Sequence, residues 1–270
     1  MDYIISDTHF LHDNIWLYDL SRVVVMYNQI KNMTKEQLYQ ANISNSEQFI
    51  SMLKDVVPQL DDYFDNQDST KYDNFKAVVN ANKQFIREIG DKLMLDNWNK
   101  VVTRKDTVYH LGDLSMATTS QYSDIANVLS QLNGKIYLIL GNHDNRQLIN
   151  KLDRDGYIEI LSDVGYRKKF NHRVYFLSHY GIDIGGYNQL RDYVKETDSL
   201  PKSTTVSIHG HIHEDDYLET YKFNVSVDNK LSYTVNNYKL GAPLLFDALD
   251  KYVSENLLRE VKENIADEDD

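Results

Sequence analysis

Residues 3–13 read Y-I-I-S-D-T-H-F-L-H-D. A short apolar run opens the chain, and polar residues follow it at once. Asp7 and His9 are two apart, so extended backbone would point both to one side. A turn has use for Asp, Ser or Gly; it has none for two histidines, His9 and His12. The stretch reads as a buried strand that ends in ligand-type residues rather than in a simple reversal.

The same arrangement recurs downstream. Residues 107–111 read as a strand ending in Gly112-Asp113, and residues 135–140 as one ending in Gly141-Asn142-His143-Asp144. Between them a helix over 120–132 is stopped by Asn133-Gly134, a span short enough for a right-handed crossover between parallel strands. A hairpin over 165–178, turning at Asn171-His172, ends in Ser178-His179. A strand over 204–209 runs into Gly210-His211-Ile212-His213, and another covers 222–227. In open α/β sheets ligands bind beyond the carboxyl ends of the strands, where these clusters would converge. Most of the 9 histidines lie in them, which scattered surface histidines would not do.

Residues 17–98 have a different, helical pattern. Thr34 and Ser44 or Ser46 look like N-caps, and apolar residues recur at helical spacing over 49–57, before Pro58, and over 75–95. The acidic stretch 61–73 reads as a loop, and residues 243–265 as an amphipathic helix with an acidic tail at 266–270. No repeat or low-complexity linker divides the chain, so residues 1–270 read as one domain. Residues 23–95 form a helical insertion in it, either a cap over the site or packing outside it.

Composition narrows the function. The chain has 270 residues, 41% hydrophobic and 26% charged, as in ordinary globular proteins. A net charge of −12 disfavours non-specific binding to nucleic acid or anionic membrane. With no cysteine there is neither a disulfide framework nor a thiolate metal site. That fits a reducing, cytoplasmic setting, and no stretch reads as a secretory signal or membrane span. Imidazole and oxygen ligands without thiolate suit Mn, Fe, Zn, Co or Ni. Two adjacent ions need a shared carboxylate, for which Asp113 is the natural candidate. Such a pair clamps a phosphoryl group and lowers the pKa of the attacking water from 15.7 towards about 7.

In this order D-T-H, G-D-L-S, G-N-H-D, S-H-Y and G-H-I-H, spanning residues 7–213, resemble the calcineurin-like metallophosphoesterase superfamily. The longer words S-D-T-H-F-x-H-x-N-I, Y-H-L-G-D, H-G-H-I-H and N-V-S-V-D resemble a branch of short bacterial and phage-encoded members. The resemblance implies a four-layer α-β-β-α sandwich and two divalent ions, manganese foremost. One ion would be held by Asp7, His9, Asp113 and His213, the other by Asp113, Asn142, His179 and His211. His143 would sit beside the phosphate and protonate the leaving group, with Asp144 holding its tautomer. Leu114-Ser115 after Asp113, and Asp144 after His143, depart from protein serine/threonine phosphatases, which carry Asp-Arg-Gly and Glu there.

The expected activity is that of a phosphodiesterase on nucleotides or other small phosphorylated molecules. Two readings compete with it. A nuclease of the same superfamily would need a basic groove, and Arg167-Lys168-Lys169 with Arg173 is the only dense basic run; otherwise that run is a solvated hairpin face. A non-catalytic module that keeps the fold would hold no metal. Around the core set, His12 either contacts substrate or caps the helix after it. Arg146 could reach a phosphate. Tyr180, in the glycine-rich loop 180–187, could stack on a base. His110 and His209 read as core residues, and His172 as a hairpin turn.

Overall fold

Parallel pairing sets the architecture. In a computed structural model of the chain, which describes residues 1–58, 69–185, 187–214, 221–237 and 239–269, strands β1 (Asp2–Ile5), β2 (Thr107–His110), β3 (Lys135–Ile139) and β4 (Glu159–Ser162) pair in parallel. A second sheet holds β5 (Tyr166–Phe170), β6 (Arg173–Leu177), β7 (Thr205–His209) and β8 (Lys222–Asn224), in that order. Its first pair is antiparallel and the rest parallel. A short β9 (Leu244–Leu245) returns to the first sheet, antiparallel to β1, giving the order β4-β3-β2-β1-β9. Neither β4 nor β9 stands out in the sequence: β4 is short and half-buried, and β9 has two residues.

Alternation along each strand divides the core in two. Tyr3, Ile5, Val108, Ile136 and Leu138 share one face of the first sheet and join the helical side. Ile4, Leu111 and Ile139 face the other way and share a core with Tyr175, Leu177, Val206 and Ile208 of the second sheet. The two sheets thus stack through apolar inner faces, with helices around them, as expected of a metallophosphoesterase sandwich.

Among the described residues five helices lie between β1 and β2: α1 (Ile15–Tyr18), α2 (Leu20–Lys31), α3 (Lys35–Gln40), α4 (Ser46–Leu53) and α5 (Ser69–Val101). They extend past both ends of the predicted 23–95 segment. Thr34 caps α3 with a full capping box, Gln37 reaching back to its backbone N–H. Asn45, rather than Ser44 or Ser46, holds the N-cap position of α4. The predicted loop 61–73 lies outside the described residues up to 68, and residues 69–73 open α5 instead. Trp16, Val23, Met26, Phe49, Leu53, Phe75, Val79, Leu93 and Trp98 are buried in a core continuous with the first sheet.

The crossover from β2 to β3 runs through a 3-10 turn at Thr119–Gln121 and α6 (Tyr122–Gln131), and β3 leads through α7 (Arg146–Arg154) to β4. Helices α8 (Tyr187–Thr197), α9 (Lys230–Val235) and α10 (Phe246–Asp269) accompany the second sheet. The expected helix over 243–265 therefore starts after β9 and runs further. Of the predicted acidic tail 266–270, residue 270 lies outside the described residues, and residues 266–269 continue the helix. At the hairpin turn both Asn171 and His172 have positive φ, 44° and 71°, as a two-residue turn between right-twisted strands requires. Among the described residues no helix is long and apolar enough to cross a membrane.

Candidate metal centre

The loops that follow β1, β2, β3, β6 and β7 meet at one end of the stacked sheets. Backbone bonds tie them together: the Asp7 N–H donates to Gly112 O at 3.0 Å, His9 N–H to Asp113 O at 3.0 Å, and Gly210 N–H to His179 O at 3.1 Å. Asp7, His9, Asp113 and His179 are at most 2% exposed.

Alternation along a strand is not what brings these side chains together. Asp7, His9, Asp113, His211 and His213 all take left-handed backbone, with φ of 58°, 49°, 53°, 73° and 53°. Such conformations in non-glycine residues cost about 1–3 kcal/mol each and persist where the surroundings over-determine them. The expectation that Asp7 and His9, and likewise His211 and His213, share a side because the backbone is extended is therefore corrected. Tight loops curl each pair around a common point. Gly210 permits one close approach: a Cβ there would collide with Ser6 Oγ and Asp7 Oδ2.

Carboxylate and imidazole atoms face one another at distances too long for hydrogen bonds. Asp113 Oδ2 lies 3.7 Å from His9 Nε2 and 3.5 Å from His179 Nε2. Asp7 Oδ1 lies 3.9 Å from His213 Nε2. Ligands about 2.0–2.2 Å from one ion sit roughly 3–3.6 Å from each other, so these separations suit groups converging on a cation. His9 adds a sharper observation: it is buried, and among the described residues neither ring nitrogen has a hydrogen-bond partner. Buried polar atoms rarely go unsatisfied, and a divalent ion would satisfy this one. Among the described residues three sets of donor atoms could hold one: Asp7, His9 and His213; Asp7, Asp113 and His179; and, behind them, Asp19, His213 and Asp228.

Asn142 and His211 complete the second set less tightly. Asn142 Oδ1 bonds His179 Nε2 at 2.8 Å, and the T-shaped ring contact of His211 with His179 has centroids 5.0 Å apart. The His211 N–H donates to both Asp7 oxygens, at 3.2 and 3.1 Å, and Ser226 Oγ donates to Oδ2 at 2.7 Å.

Without an ion the charges are in tension. Burial, then the nearby Asp7, pushes Asp113 up to about 8. Burial holds His9, His179 and His211 below the usual imidazole range. Burial would lower His213 too, but hydrogen bonds to Asp19 and Asp228 outweigh it and raise it to about 10. Those bonds run from Nδ1, at 3.0 Å to Asp19 and 2.5 Å to Asp228, which leaves Nε2 facing Asp7. A carboxylate fixing the far nitrogen is the usual way an imidazole ligand is oriented.

His143 is exposed, its ring 5.8 Å from that of His9, and its N–H donates to Asp113 Oδ1 at 2.8 Å. Asp144 does not orient it as expected. The Asp144 carboxylate accepts from the backbone N–H groups of Asp113, Leu114 and Gly141, at 2.8–2.9 Å, and so pins two ligand loops to each other. Next to those donors an acidic side chain bonds backbone more readily than a neighbouring ring that points outward.

The outlying candidates divide. His12 does not cap α1, whose N-cap is Asn14; its ring lies 5.7 Å from His9 and 6.4 Å from Tyr18, with Nδ1 buried and unpartnered. Tyr180 is 49% exposed and packs edge-on against His211 and His179, with centroids at 4.5 and 5.1 Å. Together with Asn142, Asp144, Arg146 and Asp163 it lines a cleft of about 280 Å³. Arg146 is at that cleft, but its guanidinium is paired with Asp163 at 2.7 Å. Gly186 of the loop 180–187 lies outside the described residues. In the basic hairpin, Lys168 is bound to Asp2 and Arg173 to Asp250, leaving Arg167 and Lys169 exposed. His110 and His209 are buried core groups; Thr8 Oγ1 bonds His110 Nε2 at 2.9 Å.

Three residues behind the site escape sequence reasoning: Asp19, Arg22 and Asp228. A signal for Arg22 exists, since it lies on the buried stripe of α2 with Val23, Met26 and Ile30. Asp228 closes the N-V-S-V-D word.

The model of the calcineurin-like phosphoesterase family matches residues 3–257. The chain belongs to this family. Its members hydrolyse phosphoesters with divalent metal ions, and the Asp/His clusters described above stand where such ions could bind. An uncharacterized protein of Methanocaldococcus jannaschii is 31% identical over 133 residues, 47% of this chain and 70% of its own length. A crystal structure of a protein of unknown function from Aquifex aeolicus is similar at a TM-score of 0.47 and 19% identity, covering 93% of this chain and 98% of its own.

Proposed function

We propose that this phosphoesterase is a two-metal enzyme that cleaves phosphodiesters, acting on nucleotides or other small phosphorylated molecules. The observation that carries the reading is the place of Asp113 Oδ2, between His9 Nε2 at 3.7 Å and His179 Nε2 at 3.5 Å. A carboxylate between two imidazoles of different loops suits a ligand shared by two ions. Asp7, His9 and His213 would hold one ion with it, and Asn142, His179 and His211 the other. Manganese is the first ion to test, and Fe, Zn, Ni and Co suit the same donors. Bound there, two divalent ions would supply charge for the phosphoryl oxygens and an acidified water.

The protein's own groups do the rest. His143, exposed beside His9, would donate to the phosphate and protonate the leaving oxygen; its ring, 5.8 Å from that of His9, supports that role. Asp144 keeps the Asp113 and Gly141 loops in register, so that His143 and the shared carboxylate hold their spacing. The modest cleft beside Tyr180 favours a small substrate over a polymer. The pairing of Lys168 and Arg173 with internal carboxylates also weighs against a nucleic-acid track.

The test is hydrolysis of bis-p-nitrophenyl phosphate and p-nitrophenyl phosphate with Mn²⁺, with and without chelator. The expected result is Mn²⁺-dependent turnover, faster on the diester. Wild-type turnover by Asp113→Ala would sink the proposed site. Faster monoester cleavage would sink the diesterase preference alone.

A further inference from the structure

Arg22 is fully buried, and so is its partner Asp228. Among the described residues its guanidinium makes four polar contacts. Nη2 donates to Asp7 O at 2.5 Å and to Asp228 Oδ2 at 2.8 Å. Nη1 donates to Thr8 O at 3.1 Å. Nε pairs with Asp228 Oδ1. The Trp16 ring lies against it, 5.9 Å from Cζ to centroid. That ring is itself locked from behind: at Gly90 of α5 a Cβ would collide with its six-membered edge.

Two of the acceptors belong to the loop that carries Asp7 and His9 in left-handed backbone. The third, Asp228, bonds His213 Nδ1. One side chain from the helical insertion therefore touches the supports of all three residues of one donor set, Asp7, His9 and His213, and of the set with Asp113 and His179 it reaches Asp7 alone. It has no contact with Asn142, His179 or His211. A buried ion pair is a poor way to gain stability, since a well-packed apolar pair does as well. A planar five-donor fork that spans a carboxylate and two carbonyls is a good way to fix geometry.

We propose that Arg22 is a positioning residue for one half of the metal centre, clamping the Asp7–Thr8 backbone to Asp228 so that Asp7, His9 and His213 keep the spacing one divalent ion needs. The inference rests on the two-ion reading above. The helices between β1 and β2 then serve the site from beneath, through Arg22 on α2 and the Trp16 plate on α1.

The experiment is Mn²⁺ titration of the metal-stripped full chain by calorimetry and electron paramagnetic resonance. It compares wild type with Arg22→Lys and with the double variant Arg22→Met/Asp228→Leu, which leaves no unpaired buried charge. The expected result is a Kd weakened about 10- to 100-fold for one ion and unchanged for the other. The exchange-coupled signal of a pair should give way to that of an isolated ion at Mn²⁺ levels that fill the wild type. Arg22→Lys keeps the charge but not the fork, so it separates neutralisation of Asp228 from clamping. Wild-type affinity for both ions in both variants overturns the proposal, as does equal weakening of both ions. If the wild type itself binds one ion, the two-ion reading fails. The proposal is then judged on that ion: a weaker Kd in both variants upholds it, and an unchanged one overturns it.

Discussion

The two halves of the proposed two-ion centre are built by different means. Around Asp7, His9 and His213 the supports are side chains, and they are buried: Arg22, Asp228 and Asp19 form an ion-pair network behind the ligands. Around Asn142, His179 and His211 the supports are backbone groups and neighbouring rings; His179 is buried, while Asn142 and the adjacent His143 are exposed. A buried network fixes geometry but tolerates no missing partner, because an unpaired charge is left in low dielectric. A half-exposed loop held by backbone bonds gives way more easily, which suits the side where substrate enters. Rigidity on one side and access on the other is the division of labour this centre suggests.

In the proposed two-ion reading Asp113 is the ligand shared by both halves, so its loss is the strongest test of the comparison. Asp113→Ala should lower Mn²⁺-dependent diester hydrolysis more than about 10³-fold, the several kcal/mol a metal pair supplies, and steady-state assays will read it. His143→Ala should cost about 10²-fold in kcat while calorimetry still finds the wild-type number of ions. Loss of metal in that variant would erase the distinction between a rigid metal side and an open substrate side.

pH provides the next test. Burial, then Asp7, raises Asp113 to about 8 in the metal-free fold, well above an unfolded carboxylate. A group raised on folding contributes stability at low pH that is lost as pH rises through the folded value. His213, raised to about 10, has the same sign. Bound ions need both groups deprotonated and remove the repulsion. The gap in Tm between Mn²⁺-loaded and chelated protein should therefore widen between about pH 6 and pH 9. A gap that narrows would mean that these two groups do not govern the site.

Smaller effects belong to the open side. Tyr180→Ala should raise KM about three- to tenfold for a substrate with an aromatic base, and leave KM for one without a base unchanged. Arg146→Ala should leave the midpoint of denaturant titration essentially unchanged, since its pair with Asp163 is exposed and screened by solvent. A large loss of activity there would mean that Arg146 leaves Asp163 to hold the phosphate.

Much of the fold and of the site was legible because strand ends carry chemistry. Apolar runs that stop at Asp-x-His, Gly-Asp, Gly-Asn-His-Asp and His-Gly-His-Ile-His mark both the parallel strands and their working ends. The strands β4 and β9 were not legible, being too short or too exposed to leave a period of two. The Asp144 bonds are not legible for another reason. Sequence adjacency to His143 suggested a pair, while the competing donors on Asp113, Leu114 and Gly141 lie some thirty residues off or on the other side of the turn. For His12 the sequence offers both a cap and a site contact, and Asn14 holds the cap position.

By itself, then, the sequence determined the family, the stacked-sheet sandwich and the ligand-type residues at the strand ends, because residue type and local period are written along the chain. Only the tertiary structure decided how those residues meet. Five left-handed loop residues aim the ligands, and a buried arginine from the helical insertion stands behind three of them. Such contacts join positions as far apart as Arg22 and Asp228, and the free energy that holds them comes from burial and hydrogen bonding that exist only once the chain has folded.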